Sequence, residues 1–294
     1  MQTVSAAYLL EHPLPDHDAG SDKHQRGRVL VIGGSVEIPG AAYLASLAAL
    51  RAGAGVLQIA TCATAAPHLG LAMPEARVIP CPETSEGGIH PASLKRVAEA
   101  ASTCDAILIG PGMVDQAAIA ELTEGLLKKT LNTKIVLDAE AFVQARSLTD
   151  ELSRHRGRVV LTPHSGEMAK FLALEREKVE RDPVLAAQRA CDLTGAVIIL
   201  KGACTHILDP SGEHWLCEHG CIGLATSGSG DTLAGILAGL LARGAGLTQA
   251  AYWSVFLHAE AGQRLTARCG RLGFLARELP DQIPRIMDDL SKRD

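Results

Sequence analysis

One acidic residue, Asp231, stands between a run of small residues and an apolar helical pattern in the segment 223–244, GLATSGSGDTLAGILAGLLARG. Gly228 and Gly230 leave the backbone open to close approach by a ligand, and Ser229 lies where the helix is predicted to begin. A helix N-terminus offers free N–H groups and a positive dipole end, so it suits a phosphate. A carboxylate there could be the general base that takes a proton from a hydroxyl attacking that phosphate, or it could be a helix N-cap.

Glycines and polar groups also follow five predicted strands elsewhere in the chain. They are GGS at 33–35, GPGM at 110–113, DAE at 138–140, TPHSGE at 162–167 and KGACT at 201–205. In an open α/β sheet the ligand crevice lies outside the carboxyl ends of the strands, so these segments are expected to meet at one edge. Each has another interpretation when taken alone: a tight turn for the glycines, a helix cap for Asp138, Glu140 or His164, and a solvated charge for Lys201. Their coincidence on one edge favours a single site.

Short apolar runs alternate with Ala- and Leu-rich helical patterns along most of the chain, which predicts an α/β fold with a mostly parallel sheet. The predicted strands are 28–32, 56–60, 106–109, 134–137, 158–161 and 196–200, and the predicted helices between them are about 40–52, 91–102, 115–128, 165–174 and 183–193. A hairpin at 205–208 and 213–217 and helices at 231–243, 248–268 and 275–291 follow, the last broken by Pro280 and Pro284. We expect one domain over 1–294, with 1–27 an N-terminal extension in which 11–27 is a polar loop.

Composition and charge argue against several classes of function. The net charge is -5 and no long cluster of Lys and Arg is present, so a nucleic-acid partner is not expected. No apolar run approaches the roughly 18 residues of a membrane span, and the N-terminus lacks a signal-peptide pattern, so we expect no membrane association and a cytoplasmic location. The chain contains neither a GxGxxG nor a GxxxxGK[ST] motif, which disfavours a Rossmann cofactor site and a P-loop.

The eight cysteines are scattered and mostly lie beside apolar residues, which indicates small core residues rather than a disulfide framework. A zinc site could be imagined at His214, Cys217, His219 and Cys221. The spacing of these four residues fits no known zinc module, so zinc is disfavoured.

The motifs together resemble the ribokinase-like superfamily, in which GSGD supplies an anion hole and a catalytic base. Within it, the chain resembles the NAD(P)H-hydrate dehydratase family over about residues 23–280. The resemblance rests on GRVLVIGGS (27–35) with PGAAYLASLAALRAGAG (39–55), AILIGPGM (106–113), VLDAEAF (136–142), VLTPHSGEMAKFL (160–172), VIILKGACTHI (197–207) and ATSGSGDTLAGILAGLLARG (225–244). Six motifs in the same order are far more specific than GSGD alone. They imply a ribokinase-like three-layer fold with helices on both sides of the sheet.

The resemblance implies that ADP or ATP phosphorylates the ring hydroxyl of hydrated NADH or NADPH, after which phosphate is eliminated. By position Asp231 corresponds to the base, with Gly228, Ser229 and Gly230 around the transferred phosphate. Nucleotide-binding positions correspond to Lys201, Gly202, Ala203, Cys204, Thr205 and Gly230, and positions that hold the hydrated cofactor correspond to Ala41, Gly112, His164 and Asp231. Glu167 is a candidate to hold Mg²⁺ through water, or else a first-turn acid favoured by the helix dipole.

The same resemblance implies a homo-oligomer, expected to be a tetramer. A partner epimerase domain is often fused ahead of this one in the family, and no such domain is expected here. NAD(P)H-hydrate epimerase would then be a separate chain with a functional link to this one.

Some positions depart from the family pattern. Cys221 and Ile222 replace Asn and Pro ahead of GSGD, Ser165 replaces Pro in TPHPGE, Glu140 replaces Asp in DAD, and the Lys-Gly pair near the N-terminus reads Lys23-His24. These changes leave two alternatives open. One is a small-molecule kinase of the superfamily, of hydroxyethylthiazole or hydroxymethylpyrimidine type, which would stop after phosphorylation. The other is a nucleotide-binding protein without catalysis.

Overall fold

A single sheet of ten strands runs through the part of the chain that the computed structural model describes, residues 1–16, 22–130 and 132–291. The strands are β1 (Gln2–Thr3), β2 (Arg28–Ile32), β3 (Val56–Cys62), β4 (Ala76–Cys81), β5 (Ala106–Ile109), β6 (Lys134–Leu137), β7 (Val159–Leu161), β8 (Val197–Leu200), β9 (Thr205–Leu208) and β10 (His214–Cys217). They are ordered β1-β10-β9-β8-β7-β6-β5-β2-β3-β4. Only β9 runs antiparallel to its neighbours, so the sheet is mostly parallel.

Helices cover both faces of this sheet. They are α1 (Ala6–Glu11), α2 (Pro39–Arg51), α3 (Ala66–Ala72), α4 (Leu94–Ala101), α5 (Gln116–Lys129), α6 (Ala139–Gln144), α7 (Thr149–Arg154), α8 (Ser165–Leu172), α9 (Arg176–Arg181), α10 (Pro183–Thr194), α11 (Ser229–Ala242), α12 (Leu247–Cys269) and α13 (Ile283–Ser291). On one face α2, α11 and α12 form a core, and on the other α5, α6, α8 and α10 form a second. Among the described residues, no helix is long and apolar enough to cross a membrane.

The apolar runs of the central strands are explained by these two cores. In β2 the side chains of Val29 and Val31 join the first core, whereas Leu30 and Ile32 join the second. Successive side chains of a strand point to opposite faces, so a strand covered on both faces must be apolar throughout. The expectation of buried parallel strands is therefore confirmed.

The N-terminal residues belong to the same packing. β1 extends the sheet by pairing with β10, and Val4 and Leu9 are buried in the first core. The Trp215 indole N–H donates to the Tyr8 hydroxyl at 2.8 Å. Residues 2–11, expected in an extension, thus form a strand and a helix. Of the loop predicted at 11–27, residues 17–21 lie outside the described residues.

Two helices on the first face approach unusually closely. A Cβ at Gly235 of α11 would lie 2.1 Å from the Ala45 carbonyl oxygen of α2, and one at Gly239 would lie 2.4 Å from the Ala49 oxygen. Both distances are far below a contact distance, so the two backbones can meet only where these side chains are absent. The small residues of TLAGILAGLLA therefore fix the position of α11 against α2.

Gly235→Ala is expected to lower the free energy of unfolding by about 2 kcal/mol or more, because the added methyl meets a backbone oxygen and can be accommodated only if a helix shifts. Urea unfolding followed by circular dichroism measures this. Gly40→Ala is the matched control: its Cβ would have no neighbour within 4 Å, so helix propensity should leave stability unchanged or slightly higher. Equal stability of both variants would contradict the close approach of α2 and α11.

Most of the expected elements are present, with a few differences. The strands predicted at 28–32, 106–109, 134–137 and 205–208 have the bounds expected. β4 was not predicted: it contains Pro80, and it lies at the edge of the sheet, where proline is tolerated. The short helices α1, α3, α6, α7 and α9 were also not predicted. The helix expected at 275–291 is instead two 3₁₀ turns, Ala276–Glu278 and Pro280–Gln282, followed by α13.

Candidate active site

The carboxyl ends of β2, β5, β7 and β8 lie at one edge of the sheet, and the segments that follow them meet there. The Gly34 N–H donates to the Pro111 carbonyl at 2.7 Å, and the Lys201 N–H donates to the Pro163 carbonyl at 2.8 Å. His164 pairs with Lys201 as a short parallel bridge. The structure therefore brings the strand-end motifs together.

A buried ion pair joins two of these strand ends. The Lys201 ammonium lies 3.0 Å from Asp138 Oδ1, and the Thr162 hydroxyl donates to the same oxygen at 2.6 Å. The Asp138 side chain is 3% exposed and that of Lys201 19%. Asp138 occupies the N-cap position of α6, as expected for a helix cap, but its side chain makes no capping hydrogen bond. Its carboxylate instead fixes the ammonium at the sheet edge.

The Lys201 ammonium also faces the first turn of α11. A Cβ built on Gly230 would lie 3.5 Å from Lys201 Nζ. Burial alone would lower the pKa of Lys201, but the carboxylates of Asp138, Glu167 and Asp231 outweigh it and raise the pKa above its ordinary value. A permanent positive charge thus stands beside a helix N-terminus, where anions are already favoured.

Asp231 is the third residue of α11, and the N-cap position belongs to Gly228, which has a left-handed backbone at φ 85°. The alternative that Asp231 is the N-cap is therefore wrong. The Ser229 N–H turns back to the Thr226 carbonyl at 3.2 Å. Within the described residues the N–H groups of Gly230 and Asp231 have no hydrogen-bond partner, which leaves two donors for an anion.

The Asp231 carboxylate has the electrostatic environment of a base. Its pKa is raised to about 6, chiefly by burial and also by the Asp138 and Glu167 carboxylates, while Lys201 acts in the opposite direction. A carboxylate with this pKa is ionised at neutral pH and takes up a proton more readily than an ordinary aspartate. Among the described residues, no hydrogen bond to its carboxylate opposes this rise in pKa.

The contacts between α2 and α11 determine what lies opposite Asp231. Gly235 meets the Ala45 carbonyl and Gly239 meets the Ala49 carbonyl, so the two helices run parallel with a constant register over this turn. One turn earlier on both helices, this register puts Asp231 opposite Ala41. Gly112, with φ 64°, adjoins Ala41 in turn, because a Cβ there would lie 2.6 Å from the Ala41 Cβ. By this register the predicted substrate residues Ala41 and Asp231 lie at the same end of the helix pair, and Gly112 adjoins Ala41.

A cavity of about 860 Å³ lies beside the first turn of α11. Its polar end consists of His164, Lys201, Gly202, Ala203, Thr205, Ser229 and Gly230, and its apolar wall of Ile222, Leu224, Leu233, Val255 and Ala259. Its size suits a nucleotide. All of the predicted nucleotide-binding residues except Cys204 line it, and Cys204 is exposed to solvent. His164, expected beside the substrate, lies on the cavity side.

The family of the chain follows from comparison with known proteins. The Carb_kinase family model, described as NAD(P)H-hydrate dehydratase, matches residues 29–285. The chain belongs to the NAD(P)H-hydrate dehydratase family. The match includes every predicted site residue and leaves out only the two ends of the chain.

Individual relatives of the dehydratase family agree with this assignment. An ADP-dependent (S)-NAD(P)H-hydrate dehydratase of Xanthomonas campestris is 46% identical, and the match covers 99% of this chain and 98% of the relative. A crystal structure of the ADP/ATP-dependent dehydratase of Bacillus subtilis, co-crystallised with ATP and Mg²⁺, superimposes with a TM-score of 0.83 at 29% identity, over 99% of both chains. A bifunctional NAD(P)H-hydrate repair enzyme of Moorella thermoacetica is 35% identical over 95% of this chain, which spans about half, 52%, of that relative's length.

Two of the residues expected from the dehydratase family, His164 and Glu167, form a capping box at the start of α8. His164 Nδ1 accepts the N–H of Gly166 at 3.0 Å and that of Glu167 at 3.2 Å, and Glu167 Oε2 accepts the His164 N–H at 2.8 Å. The cap fixes both side chains at the sheet edge. Glu167 has one oxygen that makes only a long contact, 3.5 Å, with His164 Nε2.

The departure from the family pattern at Ser165 has a local explanation. The Ser165 hydroxyl donates to Glu180 Oε1 at 3.0 Å, and the same oxygen accepts from Arg176 Nε at 2.6 Å. Ser165 is the first residue of α8, a position that proline also tolerates. The serine therefore ties α8 to α9 on the surface and does not face the phosphate site.

Ser165→Pro is expected to leave kcat and KM within about twofold and the free energy of unfolding within about 0.5 kcal/mol, because one exposed hydrogen bond is exchanged for a residue well suited to the first helical turn. Steady-state kinetics and thermal unfolding measure both. Glu180→Gln, which weakens the same hydrogen bond without changing the backbone, is the control. A large loss of activity in Ser165→Pro alone would indicate a role of Ser165 at the site.

The site also includes residues that sequence reasoning did not single out. Thr162 is the first residue of the TPHSGE segment, and its hydroxyl donates to the Asp138 oxygen that also pairs with Lys201. His258 lies in the middle of α12, where Nε2 meets the Ser229 hydroxyl at 2.9 Å. Nothing in the helical pattern around His258 separates it from a core histidine, so only the tertiary contact identifies it.

The imagined zinc residues have other partners. His214 stacks on His206, His219 bonds to Glu260 at 2.8 Å, and Cys217 is buried. No group of three or more metal-binding side chains occurs among the residues that the structure describes. Cys221 and Ile222, the departures ahead of GSGD, both line the cavity.

Proposed function

We propose that the chain uses an adenine nucleotide to dehydrate hydrated NADH or NADPH, restoring the reduced cofactor. The observation that carries this proposal is the position of Asp231: an ionised carboxylate in the first turn of α11, with two free N–H donors, the Lys201 ammonium close to that turn and the large cavity beside it. The register of α2 and α11 puts Ala41, and with it Gly112, at the same end of the helix pair. A hydroxyl bound beside Ala41 and Gly112 and a phosphate bound from the cavity would meet at this carboxylate. The names of the dehydratase relatives supply the substrate class.

In the first step Asp231 accepts the proton of the substrate hydroxyl, whose oxygen attacks the terminal phosphorus of the nucleotide. The phosphorus–oxygen bond to the leaving nucleotide breaks, so ADP gives AMP and ATP gives ADP. Negative charge on the transferred group is stabilised by the N–H groups of Gly230 and Asp231 and by the Lys201 ammonium. Gly228 and Ser229 shape the turn that presents these donors.

In the second step the carbon–oxygen bond of the phosphorylated substrate breaks. The lone pair of the ring nitrogen assists its cleavage, the adjacent carbon gives up a proton, and the double bond of the dihydronicotinamide ring is restored. The proton leaves with the phosphate as HPO₄²⁻, so atoms and charge balance. Phosphorylation makes this step feasible because phosphate is a far better leaving group than hydroxide.

Nucleotide recognition is assigned to the cavity. Lys201, Gly202, Ala203 and Thr205 of the segment after β8 line it, and Cys204, in the same segment, is exposed to solvent. The apolar wall around Ile222 and Leu224 suits a purine base. ADP is the first candidate as phosphate donor because the relative with 46% identity is named ADP-dependent, and ATP is the second.

Magnesium fits the site as a companion of the nucleotide. One carboxylate, Glu167, lies near Lys201 and keeps an oxygen with only a long contact, whereas the described residues form no cluster of three ligands that would hold a metal alone. Mg²⁺ often binds through one carboxylate, waters and substrate phosphates. When bound, the ion would neutralise charge on the phosphates, and Glu167 would hold it through water.

The decisive experiment incubates the protein with hydrated NADH or NADPH and either ADP or ATP, and follows the return of reduced-nicotinamide absorbance together with phosphate release. Equal amounts of both products are expected. Phosphorylated substrate without recovered absorbance would instead indicate a kinase that stops after the first step. Nucleotide binding without either product would indicate a protein that binds nucleotide without catalysis.

The value of kcat/KM is expected to rise with pH and to level off above about pH 6, because only ionised Asp231 can accept the hydroxyl proton and its pKa is about 6. Below that value each pH unit should cost about tenfold. A pH series between about 5 and 8 with fixed Mg²⁺ measures the profile. A rate independent of pH over this range would exclude Asp231 as the base.

We also propose that the protein acts with an NAD(P)H-hydrate epimerase, and that it assembles as a homo-oligomer, a tetramer. The bifunctional relatives, of which this chain spans about half, support a functional link to a second repair activity. Light scattering measures the assembly. Coupled turnover of a mixture of hydrate epimers, with and without added epimerase, tests the link.

A further inference from the structure

A polar contact between two otherwise apolar helices lies at the edge of the phosphate site. His258 of α12 meets Ser229 of α11 with its Nε2 2.9 Å from the hydroxyl oxygen. Around it, Val255 and Ala259 present apolar side chains to the same cavity. Helix packing alone would be satisfied by an apolar residue at position 258, so the imidazole calls for another explanation.

Ser229 can contribute to the anion site only through its hydroxyl. Its backbone N–H already donates to the Thr226 carbonyl at 3.2 Å, unlike the N–H groups of Gly230 and Asp231. Ser229 nevertheless lines the cavity beside Gly230 and Lys201. Its hydroxyl proton is therefore the one donor by which this residue could reach a bound phosphate.

The imidazole is neutral at physiological pH. The pKa of His258 is lowered to about 4, chiefly by burial and also by the Lys201 ammonium, while a hydrogen bond with the Ser229 backbone opposes the shift. A neutral imidazole carries one N–H. If that proton is on Nε2, the ring donates to the serine oxygen and the serine proton is free for another acceptor. If it is on Nδ1, the serine proton is held by the ring.

We propose that His258 is a positioning residue for phosphoryl transfer: its Nε2–H donates to Ser229 Oγ and directs the serine hydroxyl proton into the anion site as a further donor. The inference rests on the proposed function, because it assumes a phosphoryl group in that site. Helix α12 would then orient a phosphate donor, a role that the residues of GSGD and of the segment 201–205 do not fill by themselves.

Three variants test this assignment by kinetics. Ser229→Ala and His258→Phe are each expected to lower kcat about 10- to 100-fold with the nucleotide KM changed less than about threefold, because the hydroxyl acts mainly on the charge that develops during transfer. His258→Gln, whose amide N–H can replace Nε2–H, should recover most of kcat. The double variant Ser229→Ala with His258→Phe should lose no more kcat than either single variant, since both changes remove the same hydrogen bond.

Ser254→Ala is the matched control, because Ser254 is a buried serine of α12 whose hydroxyl bonds only to the Ala251 carbonyl at 2.9 Å within the described residues. Its kcat should be unchanged. Full kcat in His258→Phe, or additive losses in the double variant, would overturn the proposal. A loss confined to nucleotide KM would also overturn it, since that outcome indicates a binding wall and not a transfer donor.

The hydrogen bond is also measurable without turnover. Nitrogen-15 NMR of the His258 ring should show the Nε2–H tautomer, and the Nε2 signal should shift in Ser229→Ala. An Nδ1–H tautomer in the presence of ADP would overturn the proposal even if the enzyme is active. An inactive wild-type protein would instead refute the proposed function, while the NMR result would still report on the contact.

Discussion

Asp231→Asn is expected to lower kcat about 10³-fold or more while the protein folds normally and still binds nucleotide. The amide keeps the shape of the carboxylate but cannot accept the hydroxyl proton, and general-base catalysis is typically worth 10²- to 10⁴-fold. The N–H donors of Gly230 and Asp231 belong to the backbone and remain in place. Single-turnover kinetics with hydrated NADH, together with calorimetric titration of ADP, measures the two properties separately.

The same substitution is expected to leave Tm unchanged or to raise it by a few degrees. The folded-state pKa of Asp231, about 6, lies above its ordinary value of 3.8. Protonation therefore stabilises the folded state fully below about pH 4, and this contribution is lost as the pH rises through about 6. At neutral pH the ionised side chain costs on the order of 2 to 3 kcal/mol, which Asn removes.

Asp182→Asn is the control for this prediction. Asp182 is a true N-cap: its side chain accepts the Leu185 N–H at 3.0 Å at the start of α10, and asparagine caps as well as aspartate. Activity and Tm should both stay close to the wild type. If Asp231→Asn behaved in the same way, the carboxylate of Asp231 would have no catalytic role.

The chemistry of the site was largely predictable because its residues follow strands. The carboxyl ends of parallel strands must share an edge, so Asp138, His164 and Lys201 could be brought together from the order of elements alone. Which of them would pair was not predictable. The sequence around Asp138 was equally consistent with a helix cap. The ion pair depends on the strand order, in which β7 alone separates β6, which precedes Asp138, from β8, which precedes Lys201.

The parts that escaped prediction depend on tertiary contacts. The two-residue strand β1 has too few residues for a periodic pattern, and it exists because β10 offers an edge for pairing. His258 is one polar residue in a long helix, and its role depends on the turn of α11 against which it packs. The bounds of some helices also differ from the predicted ones by a few residues. Helix α11 starts at Ser229 and not at Asp231, because Gly228 adopts a left-handed backbone at the N-cap position.

The close approach of α2 and α11 links the fold to the chemistry. Gly235 and Gly239 allow the two backbones to meet. The register of these contacts, extended by one turn, puts Asp231 level with Ala41. A larger residue in the glycine stripe would move the base relative to the bound hydroxyl as well as strain the core. Such a displacement is costly in catalysis even when the protein remains folded.

Lys201→Met is expected to lower kcat/KM about 10²- to 10³-fold, because the proposed anion site loses the Lys201 ammonium while the methionine keeps most of the side-chain volume. It should also lower the free energy of unfolding by about 2 to 4 kcal/mol. Among the described residues, Asp138, whose side chain is 3% exposed, would keep only the Thr162 hydroxyl as a hydrogen-bond partner for its charge. Steady-state kinetics and urea unfolding measure the two effects.

The double variant Lys201→Met with Asp138→Asn separates these two roles. Neutralising the buried carboxylate removes the charge that the methionine leaves unpaired, so stability should return to within about 1 kcal/mol of the wild type. Activity should stay low, because in the proposed mechanism the ammonium stabilises the transferred phosphate as well as pairing with Asp138. Recovery of activity together with stability would mean that Lys201 serves only to neutralise Asp138. Loss of both properties in the double variant would mean that Asp138 has a role at the site beyond holding Lys201.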